Sequence, residues 1–182
     1  MRVFEQSLSA EGFLTREHEQ MRLVQGRETV RRFYARQLRD PETPTLIEEP
    51  FKFPLDDMMV VGRWDRVDVR SDEVVIIDYK SSEMNDQQAA NRRTQESMQL
   101  LIYALAWQQL HGQVPTRLEI VFLETDLVGR ATVTLEDLEQ AKRVLREAAD
   151  GIRRRDFQAR PHEHACRWCA FQSICSFAFQ AS

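Results

Sequence analysis

Val74, Val75, Ile76 and Ile77 stand in a row, and the run ends in Asp78-Tyr79-Lys80. Four consecutive β-branched apolar residues suit a short strand buried on both faces. Such a strand needs partners at its edges and packing above and below, which limits the folds open to the chain. The edge partners are legible upstream. Across Met58–Arg70, Val60, Gly62, Trp64, Arg66 and Asp68 fall on one face and Met59, Val61, Arg63, Asp65, Val67 and Val69 on the other. Ser71-Asp72 turns that strand into Glu73–Lys80. Residues 45–55 carry β-formers with Pro50 and Pro54, which suit an edge or bulged strand, and Asp56-Asp57 reads as the turn after it. The three runs form a meander with short turns.

Helical patterns flank it. Over residues 14–38, Leu14, His18, Met21, Val24, Val30, Phe33 and Tyr34 recur at three- and four-residue steps, with Gly12 and Thr15 at the start and Pro41 and Pro44 past the end. Residues 16–39 hold seven arginines, which suit a solvated outer face or a face turned to DNA. A long helix is expected over residues 87–110, strands over 117–124 and 130–135, and a helix over 135–154. The order α–β–β–β–α–β–β–α predicts an α/β sandwich with a mixed central sheet, followed by a loop-rich tail.

At 182 residues the chain is expected to be one domain with one core, in three stretches: a helical segment over 1–40, the main body over 41–156 and a tail over 157–182. Its 42% apolar and 30% charged residues exclude disorder as the default. No apolar run approaches the ~18 residues of a membrane span, and the first residues lack a signal peptide's apolar stretch, so a cytoplasmic location is expected. The net charge of −4 argues against coating nucleic acid by bulk charge. It leaves room for a local basic track. Between residues 151 and 167, Arg153, Arg154, Arg155, Arg160 and Arg167 outweigh Asp156 and Glu163, a local +3 from five minus two. Trp168, Phe171 and Phe177 follow, either to stack on bases or to pack the tail onto the core. Arg92 and Arg93, early in the long helix, are placed to meet a phosphate. No residue pattern reads base identity.

The chemistry concentrates in Gly62-Arg63-Trp64-Asp65, twelve intervening residues, then Asp78-Tyr79-Lys80. Lysine is scarce, at 52, 80 and 142 only, and one of the three lies here. Adjacent strands set Asp65 and Asp78 at one level, and Asp78 and Lys80 share a face because they are two residues apart. Two close carboxylates repel unless a cation joins them. Hard oxygen donors suit Mg²⁺ or Mn²⁺, which acidifies water and stabilises charge on a phosphodiester, and Lys80 can hold the attacking water or neutralise phosphorane oxygens. A plain Asp–Lys salt bridge at a strand end has the same spacing.

This G-x-x-D then D-Y-K pattern resembles the PD-(D/E)xK nuclease superfamily, and most nearly its RecB-like branch, found at the C-terminal ends of helicase–nucleases that process DNA ends. Gln99 and Tyr103 match that branch's Q-x-x-x-Y element, and residues four apart share a helix face. The resemblance runs from about residue 45 to the end. It implies a restriction-endonuclease-like α/β sandwich, a mixed central sheet flanked by helices, with a cysteine-rich C-terminal appendix. It also implies metal-dependent hydrolysis of DNA, exonucleolytic on single-stranded ends, beside a helicase domain or subunit in repair and recombination. Asp65 and Asp78 would be metal ligands, with the Tyr79 backbone carbonyl as a further ligand. Lys80 would be the catalytic lysine, and Gln99 and Tyr103 would stand over the acid pair. Two alternatives share the motifs: a stand-alone nuclease of the kind used in CRISPR adaptation, and a silent nuclease fold that binds DNA or scaffolds a helicase.

Cys166, Cys169 and Cys175 are the only cysteines and form C-x2-C-x5-C. Thiolates so spaced suit one soft metal, and zinc could add His162 or His164. In the RecB-like branch this triplet belongs to a [4Fe–4S] cluster whose fourth cysteine lies upstream, yet no cysteine precedes 166 here. The branch's G-x-x-x-H helix is missing too, since Leu14 stands four before His18, which is expected to be a core or boundary histidine. Both departures fit a piece of a longer protein.

Overall fold

The computed structural model describes residues 2–7, 13, 15–39 and 43–179. They form two compact units, 1–142 and 143–182. In chain order the elements are α1 (Arg2–Ser7), α2 (Arg16–Arg39), β1 (Leu46–Leu55), β2 (Met58–Arg70), β3 (Glu73–Lys80), α3 (Gln87–Gln95), α4 (Met98–His111), β4 (Arg117–Phe122), β5 (Leu127–Ala131), α5 (Leu135–Arg153), α6 (Glu163–Arg167) and a 3-10 turn at Gln172–Ile174. The first unit is the expected mixed sheet with flanking helices. Five strands lie in the order β1-β2-β3-β4-β5, antiparallel except for the β3–β4 pair. That parallel pair needs a crossover, which α3 and α4 supply.

Prolines 50 and 54 are tolerated because β1 is an edge strand. β3 is central, and its Val74, Val75, Ile76 and Ile77 are all buried. Ile76 and its β4 partner Leu118 are among the largest fully buried side chains, as are Leu100 and Leu105 of α4. Each such side chain contributes about 1.5–3 kcal/mol. The other face of β3 carries a separate cluster of Val75, Ile77, Val121 and Val128, with Tyr79 and Leu123 packed against it.

Several expectations need correction. The helix expected over 87–110 is two helices. Asp86 caps α3 by accepting from Ala89 N at 2.6 Å, and Ser97 caps α4 by accepting from Leu100 N at 3.3 Å. A polar residue able to accept orphan helix N–H groups starts a helix, and Ser97 does so inside what the sequence pattern reads as continuous. The last strand is Leu127–Ala131, not 130–135. The turn falls on Asp126, at φ 59°, and Gly129 lies inside the strand. A Cβ there would collide with the Thr94 hydroxyl and the Ala90 carbonyl of α3. Glycine serves close helix–strand approach here, not a turn.

On α2 no residue is fully buried. Met21, Val24 and Tyr34 of the periodic set are exposed, while Val30 and Phe33 turn partly inward. Thr15 accepts from His18 N at 3.1 Å as a start residue should, and half-buried His18 packs edge-on to Phe13. Gly12, Leu14 and Pro41 lie outside the described residues, as do the last three of the chain. α1 falls inside the expected helical segment 1–40, ahead of the periodic pattern over 14–38. Among the described residues, no helix is long and apolar enough to cross a membrane.

Candidate active site

The site forms where the β2–β3 ladder ends. Regular pairing stops at Arg66–Ile77. One residue further on, the Asp65 carboxylate takes over, its Oδ2 accepting the Tyr79 backbone N–H at 3.0 Å. The neighbouring strand projects Asp78 and Lys80 from one face, and the Lys80 ammonium lies 3.1 Å from Asp78 Oδ1 and 2.9 Å from Oδ2. The same ammonium donates to Gln99 Oε1 at 2.8 Å, and Gln99 Nε2 donates to the Tyr103 hydroxyl at 2.8 Å. The chain Asp78–Lys80–Gln99–Tyr103 therefore ties β3 to α4. The helix is held in turn by Trp64, whose Nε1 donates to the Tyr103 carbonyl at 3.1 Å.

Asp78 is only 1% exposed. Burial pushes its carboxyl above the ordinary range; the Lys80 hydrogen bond and charge oppose this, and neighbouring Asp65 adds to the rise. Burial also raises the Tyr103 phenol, against the hydrogen bond from Gln99, and the charges of Asp65, Asp78 and Glu48 add to it. Oδ2 of Asp78 is buried and lacks a hydrogen-bond donor in proper geometry, although the ammonium lies within ion-pair distance. A buried carboxylate with a raised pKa and an unsatisfied oxygen, beside a second carboxylate, suits a hard cation. Among the described residues, no three histidine, cysteine, aspartate or glutamate side chains gather to hold a metal. A cation here would rest on two carboxylates and backbone oxygen.

Glu48 escaped the sequence reading. The β1–β2 register sets it opposite Asp65, between the pairs Ile47–Arg66 and Glu49–Trp64. Its φ of 49° is left-handed, uncommon for glutamate within a strand. The simple alternation of β2 fails at this level. Trp64 contacts α4, whereas Arg66, expected on the same face, donates to Gln37 of α2 at 3.4 Å and to the Tyr79 hydroxyl at 3.5 Å. Tyr79 also meets Phe33 of α2 edge-on at 5.6 Å. The Tyr79 ring thus serves the helix behind the sheet, while its backbone N–H serves Asp65. No local sequence signal marks Glu48, because its place depends on cross-strand register.

The other expected site residues lie on α3 and in the second unit. Arg92 and Arg93 are exposed in the last turn of α3. In the second unit, Arg153 ends α5 and pairs with Asp150 at 3.1 Å, and Arg154 and Arg155 follow it, exposed. Cys166 lies in α6 and its Sγ accepts from Phe179 N at 3.3 Å, while Cys169 and Cys175 are exposed free thiols. His162 caps α6, its Nδ1 accepting from Ala165 N at 3.2 Å. The three thiols with this histidine do not form a gathered metal shell as they stand.

A sequence profile described as the PD-(D/E)XK nuclease superfamily matches residues 2–176. No curated protein matches the chain. Among solved structures, the crystal structure of SSO0001 is similar at 16% identity with a TM-score of 0.48, over 74% of this chain and 61% of that one. This chain thus spans less than two thirds of that structure's length.

Proposed function

The chain belongs to the PD-(D/E)XK nuclease superfamily, and on that premise we propose that it is a Mg²⁺- or Mn²⁺-dependent deoxyribonuclease domain. The observation that carries the reading is the junction of two carboxylates from adjacent strands with an ammonium fixed by a glutamine. Asp65, Asp78 and the Tyr79 carbonyl would hold the cation, which supplies an acidified water and neutralises charge on the phosphodiester. Asp65 keeps the end of β3 in place through the Tyr79 N–H. Lys80, pinned between Asp78 and Gln99, is a fixed positive charge for the phosphate oxygens as they gain charge. Gln99 and Tyr103 orient that ammonium.

The finer reading is an exonuclease on single-stranded ends, beside a helicase domain or subunit, in cytoplasmic DNA repair or recombination. It follows the RecB-like character of D-Y-K with Gln99 and Tyr103. Arg92, Arg93 and Arg153, Arg154 and Arg155 are proposed phosphate contacts. The cysteine triplet would serve a [4Fe–4S] cluster, or zinc, only with a further ligand and a closer arrangement of the thiols.

The test is cleavage of linear single-stranded DNA with Mn²⁺ or Mg²⁺, beside a circular strand of equal length. Cleavage should need the metal, spare the circle and vanish in Asp78→Ala and Lys80→Ala. Activity surviving both substitutions would sink the site assignment, and cutting of the circle would replace the exonuclease reading with an endonuclease. A divalent cation should also raise the melting temperature of wild type but not of Asp78→Ala.

A further inference from the structure

On the face of β3 away from Asp78 and Lys80 lies a cavity of about 140 Å³ that the proposed reaction does not use. Val75, Ile77 and Val121 line it from the sheet, and Phe33, Arg36 and Gln37 line it from α2. Alternation along β3 explains the place, because residues 75, 77 and 79 project opposite to 76, 78 and 80. The neighbouring strands supply charge to the same cavity. Arg66, Asp68 and Arg70 come from β2, Arg117 and Glu119 from β4, and Arg130 from β5. Residues two apart on a strand share a face, so each strand sets its charged groups side by side.

The charges are arranged around two buried carboxylates. Asp68 accepts from Arg66 Nε at 2.7 Å and from its Nη2 at 2.8 Å, and the Arg70 guanidinium lies 3.6 Å away. Glu119 accepts with a single oxygen, Oε1, from Nε of Arg117 at 2.9 Å and Nε of Arg130 at 3.1 Å. Each carboxylate thereby orients two guanidiniums, and Arg36 of α2 adds a fifth. The lining holds five arginines against two acids. Glu73 pairs with Arg117 at 2.6 Å and Asp126 with Arg36 at 3.2 Å, and counting both still leaves an excess of one, five minus four. Buried ion pairs contribute little stability compared with apolar packing. Five guanidiniums around an opening between helix and sheet therefore point to a ligand. Among the described residues, the Arg130 side chain donates to protein through Nε alone, and it is 56% exposed, so a solute can reach its amino groups.

We propose that this cavity binds a phosphate group. Guanidinium forks match the oxygens of phosphate, and the surplus positive charge selects an oxyanion over a neutral solute. Size narrows the choice. At ~30 Å³ per water the cavity has room for about four or five waters, which suits the five heavy atoms of a phosphate and excludes a nucleoside. The phosphate is therefore a free ion or the terminal group of a molecule whose remainder stays outside. Tyr79 divides this site from the proposed active site: its side chain lines the cavity, while its backbone N–H serves Asp65.

Binding can be read by isothermal titration of the full chain in EDTA, with no DNA present, so the outcome is independent of the nuclease activity. Inorganic phosphate and thymidine 5′-monophosphate are the probes, with thymidine and chloride at equal ionic strength as controls. Saturable binding of inorganic phosphate assigns a free ion, and binding of the monophosphate alone assigns a terminal group. Arg130→Gln should weaken that binding about tenfold, and Arg130→Lys should recover part of the loss. Arg36→Gln, which changes the cavity from α2, should weaken it by a similar factor. Arg31→Gln removes an equal charge from the exposed side of α2, and Lys80→Ala removes the cation of the proposed active site; both should keep wild-type affinity. Absence of saturable binding by either phosphate probe overturns the proposal, as does equal binding of thymidine. So does unchanged affinity in both Arg130→Gln and Arg36→Gln, or an equal loss in Arg31→Gln or Lys80→Ala.

Discussion

The two units of the chain obtain their order differently. In the first, β3 alone buries Val74, Val75, Ile76, Ile77 and Asp78, and the helices above it are capped and tied by side chains such as Ser97 and Gln99. In the second, no residue from 157 to 179 is buried, and the structure consists of short turns with thiols and aromatic rings turned outward. A segment without a core has little hydrophobic stabilisation, and small segments of that kind gain order from a staple such as a metal, a disulfide or a partner. The first unit therefore specifies its own geometry, including that of the acid pair. The second has no buried residue between 157 and 179 to do the same.

The largest effects should come from breaking the first unit at its most costly point. Asp78→Asn should lower the cleavage rate by about 10³-fold or more. The same protein, without metal, should melt at or above the wild-type temperature, because an amide removes a buried charge. A fall of several degrees would mean that the Asp78–Lys80 pair supports the fold and not the reaction.

Paired core and tail substitutions compare the units directly. Ile76→Ala should cost about 2–5 kcal/mol in chemical unfolding, and Ile174→Ala within about 0.5 kcal/mol. Similar losses at the two sites would show that the tail has a core of its own. A smaller effect is expected where the first unit orients its lysine. Gln99→Ala removes one of the two ties on Lys80, and the rate should fall about tenfold with little change in stability. An unchanged rate would make that hydrogen bond incidental.

The gentlest perturbation is pH. Burial raises the Asp78 pKa, so the folded state holds this proton more tightly than the unfolded chain. Its contribution to stability is complete below the ordinary aspartate range and is lost as pH rises through the raised value. Metal affinity should follow the opposite course, weakening as pH falls through that same value. Melting of metal-free protein across the acid range checks the sign, and Asp78→Asn should flatten the dependence.

How much of this was legible depended on whether a residue's role is local. The meander, the D-Y-K end and the helix starting near residue 16 follow from alternation, turns and helical spacing, which neighbours in sequence determine. Asp65, Asp78 and Lys80 could be singled out because the strand period places them together, and Gln99 and Tyr103 because they resemble the Q-x-x-x-Y element of RecB-like nucleases. The break at Ser97 was written in a capping residue, inside the polar run 91–97 that holds no glycine or proline to mark it. Gly129 lies inside β5 for a reason, the Thr94–Ala90 surface of α3, that stands 35 or more residues away. Glu48 and the parting of Trp64 from Arg66 required the β1–β2 register, which no single strand displays. The tail's rings could be counted but not placed, because packing and exposure look alike in sequence.

The Asp65 carboxylate stands where a backbone carbonyl would otherwise continue the ladder, accepting the Tyr79 N–H. One amide proton is thereby wired to the site. Whatever draws electron density from Asp65, a proton or a cation, must weaken that hydrogen bond. If Asp65 holds the proposed cation, the chemical shift and exchange rate of the Tyr79 amide should change when Mg²⁺ is added without substrate.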